Sequence, residues 1–175
     1  ALFLNDKVAQ SLANDITEPL SIRHQCGERA VSDVQAIYDS SGHDVTVLSF
    51  IKDMAAAYEW ADVVIARSGA MTISECIQML KPALFIPLPT SALDHQRLNA
   101  EWLVNREGAD MMSQNDWHSA ALAKWLDAVK QKDWMDNKIQ VLKKLQYEYN
   151  VVDKLLHCWD CMDENICQNT DKDHI

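Results

Sequence analysis

The sequence has little positive charge and no long apolar run. Its 175 residues include 16 Lys and Arg against 26 Asp and Glu, which gives a formal net charge of -10. Partners rich in phosphate bind positively charged surfaces. This net charge therefore argues against nucleic acid or an anionic bilayer as a partner of the whole surface, but it does not exclude a local anion-binding site. No apolar stretch reaches the roughly 18 residues that span a bilayer, and the first residues do not resemble a secretory signal. We therefore expect a cytoplasmic location.

Cysteines are also few, and their arrangement excludes a disulfide framework. There are 5, an odd number, and Cys26 and Cys76 each stand alone in apolar surroundings. A candidate metal-ligand set lies among the last residues: Cys158, Cys161, Cys167 and His174. Because no second CxxC pair accompanies this set, and no Asp-x-Asp element ends a predicted strand, we predict neither a metal nor another cofactor.

Short apolar segments alternate with amphipathic ones along the chain. Apolar residues at helical spacing predict a helix at the start and a long helix from Met135 to Leu156. Between them the patterns predict strands at 20–25, 44–50, 63–66, 82–87 and 109–112, and helices at 28–38, 53–60, 72–80 and 94–107. Asp94 is a candidate helix cap and Gly108 a candidate helix terminator.

This alternation predicts an α/β fold, a Rossmann-like parallel sheet with helices on both faces. We expect one domain over residues 1–158, followed by a polar, cysteine-containing tail at 159–175.

The stretch ARSGAMTISE, from Ala66 to Glu75, joins a predicted strand to a predicted helix at the sheet edge where ligands bind in such folds. A helix beginning near Ala70 leaves its first N–H groups unpaired, and these can hold an anion over residues 69–72. Glu75 lies one turn further on and could accept hydrogen bonds from both hydroxyls of a diol. Two interpretations of the stretch are therefore possible: a nucleotide-binding site, or a capped helix start with a favourable charge in its first turn.

Three stretches carry a resemblance to a known family: Phe50 to Glu75, Pro82 to Pro87 and Asp94 to Ala100. With the His24-Gln25-x-Gly27 motif after the first strand, they closely resemble the C-terminal half of the MurG family. The similarity runs in order over residues 1–112 and fades into a general helical similarity up to about residue 156. MurG enzymes are inverting hexosyltransferases of the GT-B fold that transfer N-acetylglucosamine from UDP-N-acetylglucosamine to lipid I, giving lipid II for peptidoglycan. The resemblance implies that this chain is the donor-binding half.

The resemblance also implies roles for individual residues. The backbone of Ile51 would contact the uracil, Met71 and Thr72 would lie at the diphosphate, and Glu75 would accept from both ribose hydroxyls. Gln96, with His95 beside it, would bind the sugar hydroxyls, although some relatives carry Gln where His95 stands. The implied substrate site is Ile51, Ser68, Gly69, Ala70, Met71, Thr72, Glu75, His95 and Gln96.

No catalytic base is expected in this chain, because the resemblance places that base in an N-terminal acceptor domain. Binding of lipid I and any peripheral contact with the inner face of the plasma membrane would belong to the same domain. The family's glycine-rich turn and the strand before it are expected to be missing here, which would leave a sheet edge or a gap. We expect the chain alone to be inactive. The alternatives are a non-catalytic interaction or metal-binding module on this scaffold, and an epimerase-like GT-B protein acting on UDP-N-acetylglucosamine.

Overall fold

A computed structural model of the chain describes residues 2–89 and 94–148. The strands are β1 (Ser21–Gln25), β2 (Asp44–Leu48), β3 (Val64–Ala66), β4 (Ala83–Phe85) and β5 (Asp110–Met111). The helices are α1 (Ala9–Asp15, continuing a π-helical turn at Leu4–Val8), α2 (Val31–Tyr38, after a short 3-10 turn at Glu28–Ala30), α3 (Met54–Trp60), α4 (Ala70–Gln78), α5 (His95–Val104), α6 (Ser119–Val129) and α7, helical from 132 to the last described residue, 148. The predicted alternation is confirmed.

The strands pair only in parallel, and they form two sheets. β1 pairs with β2, while β4 lies between β3 and β5. No described strand bridges β1 and β3, so the two sheets are separate within the described residues.

Helices cover both faces of the central strands. Leu84 and Ile86 belong to a core built with α1, α2 and α6, whereas Ala83 and Phe85 belong to a second core built with α4, α5 and α7. Since successive side chains of a strand point to opposite faces, β4 is buried on both of its faces. The predicted fold class is therefore confirmed.

The ends of α5 differ from their predictions. Asp94 does not cap the helix with its side chain; it adopts a left-handed conformation (φ 54°) and pairs with Arg97. The helix ends at Val104, and the left-handed residue beyond it is Glu107 (φ 62°), not Gly108. Gly108 is required by packing, because a Cβ at that position would lie 2.6 Å from Leu103 Cδ1.

The predicted long helix is present as α7 through residue 148, and it buries Leu142 and Leu145 in the second core. Its predicted continuation to Leu156 and the tail at 159–175 lie outside the described residues. Within the described ranges, no helix combines the length and the apolar character needed to cross a bilayer.

Candidate functional site

The candidate site lies at the carboxyl ends of β3 and β4, where the amino ends of α4 and α5 meet. Ser68, in the turn between β3 and α4, is fully buried, and its hydroxyl donates to the Gln96 carbonyl oxygen at 2.7 Å. Asn99 Nδ2 donates to the Ser68 carbonyl oxygen at 3.3 Å. These bonds fix the start of α5 against the turn. The hydroxyl of Ser68, a predicted ligand contact, is thus bonded within the protein, and the prediction for this residue rests on its backbone.

The amino end of α4 is not capped by any side chain. Gly69 is the cap residue, with φ -64° and ψ 147°, and the first helical bond runs from Ile73 N to Gly69 O at 3.1 Å. The amides of Ala70, Met71 and Thr72 therefore have no partner within the helix. The site is also open, since a Cβ at Gly69 would meet only Thr72 Oγ1 at 3.8 Å. Such a helix start attracts an anion through its N–H groups and its dipole.

Glu75 lies one turn along α4 and is half-buried. Its Oε2 accepts a hydrogen bond of 2.8 Å from the hydroxyl of Tyr58 on α3. Among the described residues no cation pairs with this carboxylate, so its negative charge and the second oxygen stay available to a ligand. The side chain is thus held at the site and is not sequestered in the core.

Arg67 supplies a positive charge at the same edge of the sheet. Its Nη1 donates to the carbonyl oxygens of Ile86 at 2.8 Å and Pro87 at 3.0 Å, and its guanidinium also donates to the side-chain oxygen of Gln114. Among the described residues no carboxylate pairs with Arg67. Burial lowers the pKa of Arg67, and its Nε finds no partner among the described residues. Its charge is therefore not neutralised by a neighbouring carboxylate.

Ile51 lies in the loop that follows β2, a strand of the other sheet. Its backbone N–H donates to Gln25 Oε1 at 2.8 Å, a contact that sequence reasoning missed. Gln25 lies in the His24-Gln25-x-Gly27 motif, and Gly27 adopts a φ of 85°, which explains the glycine. No recorded hydrogen bond joins Ile51 to the other predicted site residues within the described chain.

Gln96 and His95 open α5. Gln96 Oε1 accepts from the Leu88 N–H at 3.1 Å, while no described residue accepts from its amide nitrogen. His95 is exposed. The side chain of Gln96 therefore has a donor left for a ligand, next to the segment 90–93, which lies outside the described residues.

The other described histidines bond to groups within the protein. His43 bridges the Leu20 N–H and the Leu12 carbonyl oxygen, and His118 caps α6. His24 lies between the Tyr38 hydroxyl and Asn5 Oδ1, and burial lowers its pKa. The candidate metal ligands near the carboxyl terminus, and His157, lie outside the described residues.

This geometry defines a Rossmann-like α/β domain, and the comparisons with known proteins identify it as one half of a GT-B glycosyltransferase fold. The family model described as the glycosyltransferase family 28 C-terminal domain matches residues 1–151, and the chain belongs to that family.

Two similar proteins carry the same enzyme name. The chain is 40% identical over 132 residues to a protein of Alcanivorax borkumensis, covering 75% of this chain and 37% of that protein. It is 34% identical over 163 residues to one of Chromohalobacter salexigens, covering 93% of this chain and 44% of that protein. Both are named UDP-N-acetylglucosamine–N-acetylmuramyl-(pentapeptide) pyrophosphoryl-undecaprenol N-acetylglucosamine transferase. The chain thus spans less than half the length of these relatives.

Solved structures agree with this assignment. The crystal structure of MurG from Acinetobacter baumannii superposes with a TM-score of 0.74 at 30% identity, covering 86% of this chain and 48% of that one. The glycosyltransferase VinC, solved with dTDP, superposes with a TM-score of 0.63 at 16% identity, over 86% of this chain and 37% of that one, and supports the fold alone.

Proposed function

We propose that this chain is the donor-binding half of an inverting glycosyltransferase that moves N-acetylglucosamine from UDP-N-acetylglucosamine to lipid I, forming lipid II. The observation that carries the proposal is the uncapped start of α4 with a carboxylate one turn away. The names of the similar proteins support the choice of donor and acceptor.

The diphosphate is proposed to lie on the amides of Ala70, Met71 and Thr72. Gly69 lets it approach the backbone, because no Cβ fills the open space there. The unneutralised charge of Arg67 at the same sheet edge adds to the attraction. As the bond to the sugar breaks, negative charge grows on the departing UDP, and the helix start stabilises it without a metal.

Uracil and sugar are proposed to occupy the two sides of this turn. Ile51 keeps its carbonyl oxygen for the base, while its N–H would have to exchange Gln25 Oε1 for the uracil. The free amide nitrogen of Gln96, with His95 beside it, is proposed to recognise the sugar hydroxyls. A site built to pair with a hydroxyl penalises a substrate in which that hydroxyl is absent or inverted.

The acceptor side is proposed to lie in an N-terminal domain outside this chain. That domain would bring the base that deprotonates the acceptor hydroxyl, lipid I itself and a peripheral contact with the inner face of the plasma membrane. The 175-residue chain is therefore expected to bind the donor nucleotide without transferring the sugar.

Replacing the ribose-binding carboxylate tests the proposal. For Glu75→Gln we expect UDP to bind at least about tenfold more weakly than to the wild type, because charge-assisted bonds to the diol become neutral. Isothermal titration calorimetry of the 175-residue chain measures this. Glu59→Gln, an exposed glutamate on α3, is the matched control and should leave the affinity unchanged. A folded wild type that does not bind UDP, or an equal effect of both substitutions, would refute the proposed site.

A further inference from the structure

The hydroxyl of Tyr58 makes the one side-chain hydrogen bond that the Glu75 carboxylate receives from the described residues. The residue lies on α3 and is 6% exposed, in the core that also contains Ile73, Cys76 and Ile77. Its ring is therefore fixed by packing on several sides. A rigid phenol that donates to one oxygen of a flexible glutamate limits the conformations of that side chain and reduces the entropy lost when a ligand binds.

The surroundings of Tyr58 keep its hydroxyl protonated, so that it remains a hydrogen-bond donor. Burial raises the pKa of Tyr58 above its ordinary value, and the neighbouring Cys76 and Glu75 raise it further. Burial also raises the pKa of Cys76 to about 12. The phenol and the thiol are thus neutral at physiological pH, and the phenol keeps the proton that it donates to Glu75. The phenol proton points to Oε2 and leaves Oε1 as the acceptor open to a ligand.

We propose that Tyr58 is a positioning residue that orients Glu75 toward the two adjacent hydroxyls of a ribose. This inference rests on the proposed function, since it requires that Glu75 accepts from a nucleotide diol. It predicts that the Tyr58 hydroxyl contributes to binding only when the ligand carries that diol. Tyr58 would thereby help this site discriminate ribonucleotides from deoxy analogues, although it does not itself contact the ligand.

The test compares UDP with 2′,3′-dideoxy-UDP on the 175-residue chain. For Tyr58→Phe, which keeps the ring and removes the hydroxyl, we expect UDP to bind about tenfold more weakly and the dideoxy analogue to bind as it does to the wild type. In a Glu75→Ala background, which removes the group that the phenol would orient, Tyr58→Phe should cause no further loss. A purely structural role would weaken both ligands equally, and that result would overturn the proposal.

The same titrations separate this proposal from the proposed function. If Glu75→Gln weakens UDP selectively and Tyr58→Phe does not, the positioning role is wrong while the nucleotide site stands. If Glu75→Gln has no effect on either ligand, the nucleotide site itself is wrong.

A second measurement avoids any dependence on a variant that folds poorly. In wild-type chain labelled with 3-fluorotyrosine, the fluorine resonance of Tyr58 should shift when UDP is added and stay in place with the dideoxy analogue. Equal shifts with both ligands, or no shift with UDP, would contradict the proposal.

Discussion

The variant Gly69→Asp is expected to be more stable than the wild type and to lose UDP binding. Gly69 has the extended backbone of a cap residue, and a side chain there meets nothing closer than Thr72 Oγ1 at 3.8 Å. An aspartate can therefore accept from the first amides of α4 and place a negative charge at the positive end of the helix. We expect a gain of about 0.5–1 kcal/mol in the free energy of unfolding.

The same carboxylate would occupy the amides that are proposed to bind the diphosphate, and it would repel the phosphates. We expect UDP affinity to fall at least about a hundredfold, because the Asp carboxylate would occupy the anion site and carry the same sign of charge as the diphosphate. Urea denaturation and isothermal titration calorimetry measure the two effects. The expected gain in stability distinguishes this loss of UDP binding from misfolding, because a misfolded variant would lose both binding and stability.

Gly42→Asp is the control for the added charge. Gly42 lies in an exposed turn, has open space around it and does not adopt a left-handed conformation. This variant should bind UDP like the wild type. Retained UDP binding in Gly69→Asp would show that the diphosphate does not use the start of α4.

The fold could be predicted from local patterns because a strand that is buried on both faces is continuously apolar in the sequence. The segment from Pro82 to Pro87 is continuously apolar, and the structure buries it in both cores. The start of α4 could be located in the same way, since an apolar strand, small residues and an amphipathic helix follow one another from Val63 onward.

The ends of α5 could not be predicted, because they depend on contacts made elsewhere. Gly108 resembles a helix terminator in the sequence, yet its lack of a side chain is required by the buried Leu103, whose Cδ1 would lie 2.6 Å from a Cβ. The left-handed conformation falls on Glu107, where sequence statistics give no signal. Asp94 resembles a cap, but its carboxylate is used by Arg97.

The partners of the site residues were missed for the same reason. Tyr58 reaches Glu75 only because α3 packs on α4, and Gln25 reaches Ile51 only because β1 pairs with β2. No spacing within one element indicates either contact. The resemblance to a family predicts the ligand-facing positions, whereas the residues that hold them in place required the structure.

Asp110→Ala is expected to destabilise the chain by about 3 kcal/mol, because it would leave a buried cation without its partner. Lys138 on α7 is 9% exposed, and its Nζ donates to Asp110 Oδ1 at 2.7 Å and to the Ala109 carbonyl oxygen at 2.9 Å. The second oxygen of the carboxylate accepts from Trp125 Nε1 at 2.9 Å, which links β5 to α6 as well as to α7. Urea denaturation measures the loss.

Two further variants identify the cause of that loss. Asp127→Ala removes a carboxylate from the exposed pair with Lys130, and it should cost less than about 0.5 kcal/mol. Adding Lys138→Met to Asp110→Ala removes the stranded charge, so part of the lost stability should return. A double variant less stable than Asp110→Ala alone would show that the ammonium group stabilises α7 through Ala109 and not through the carboxylate.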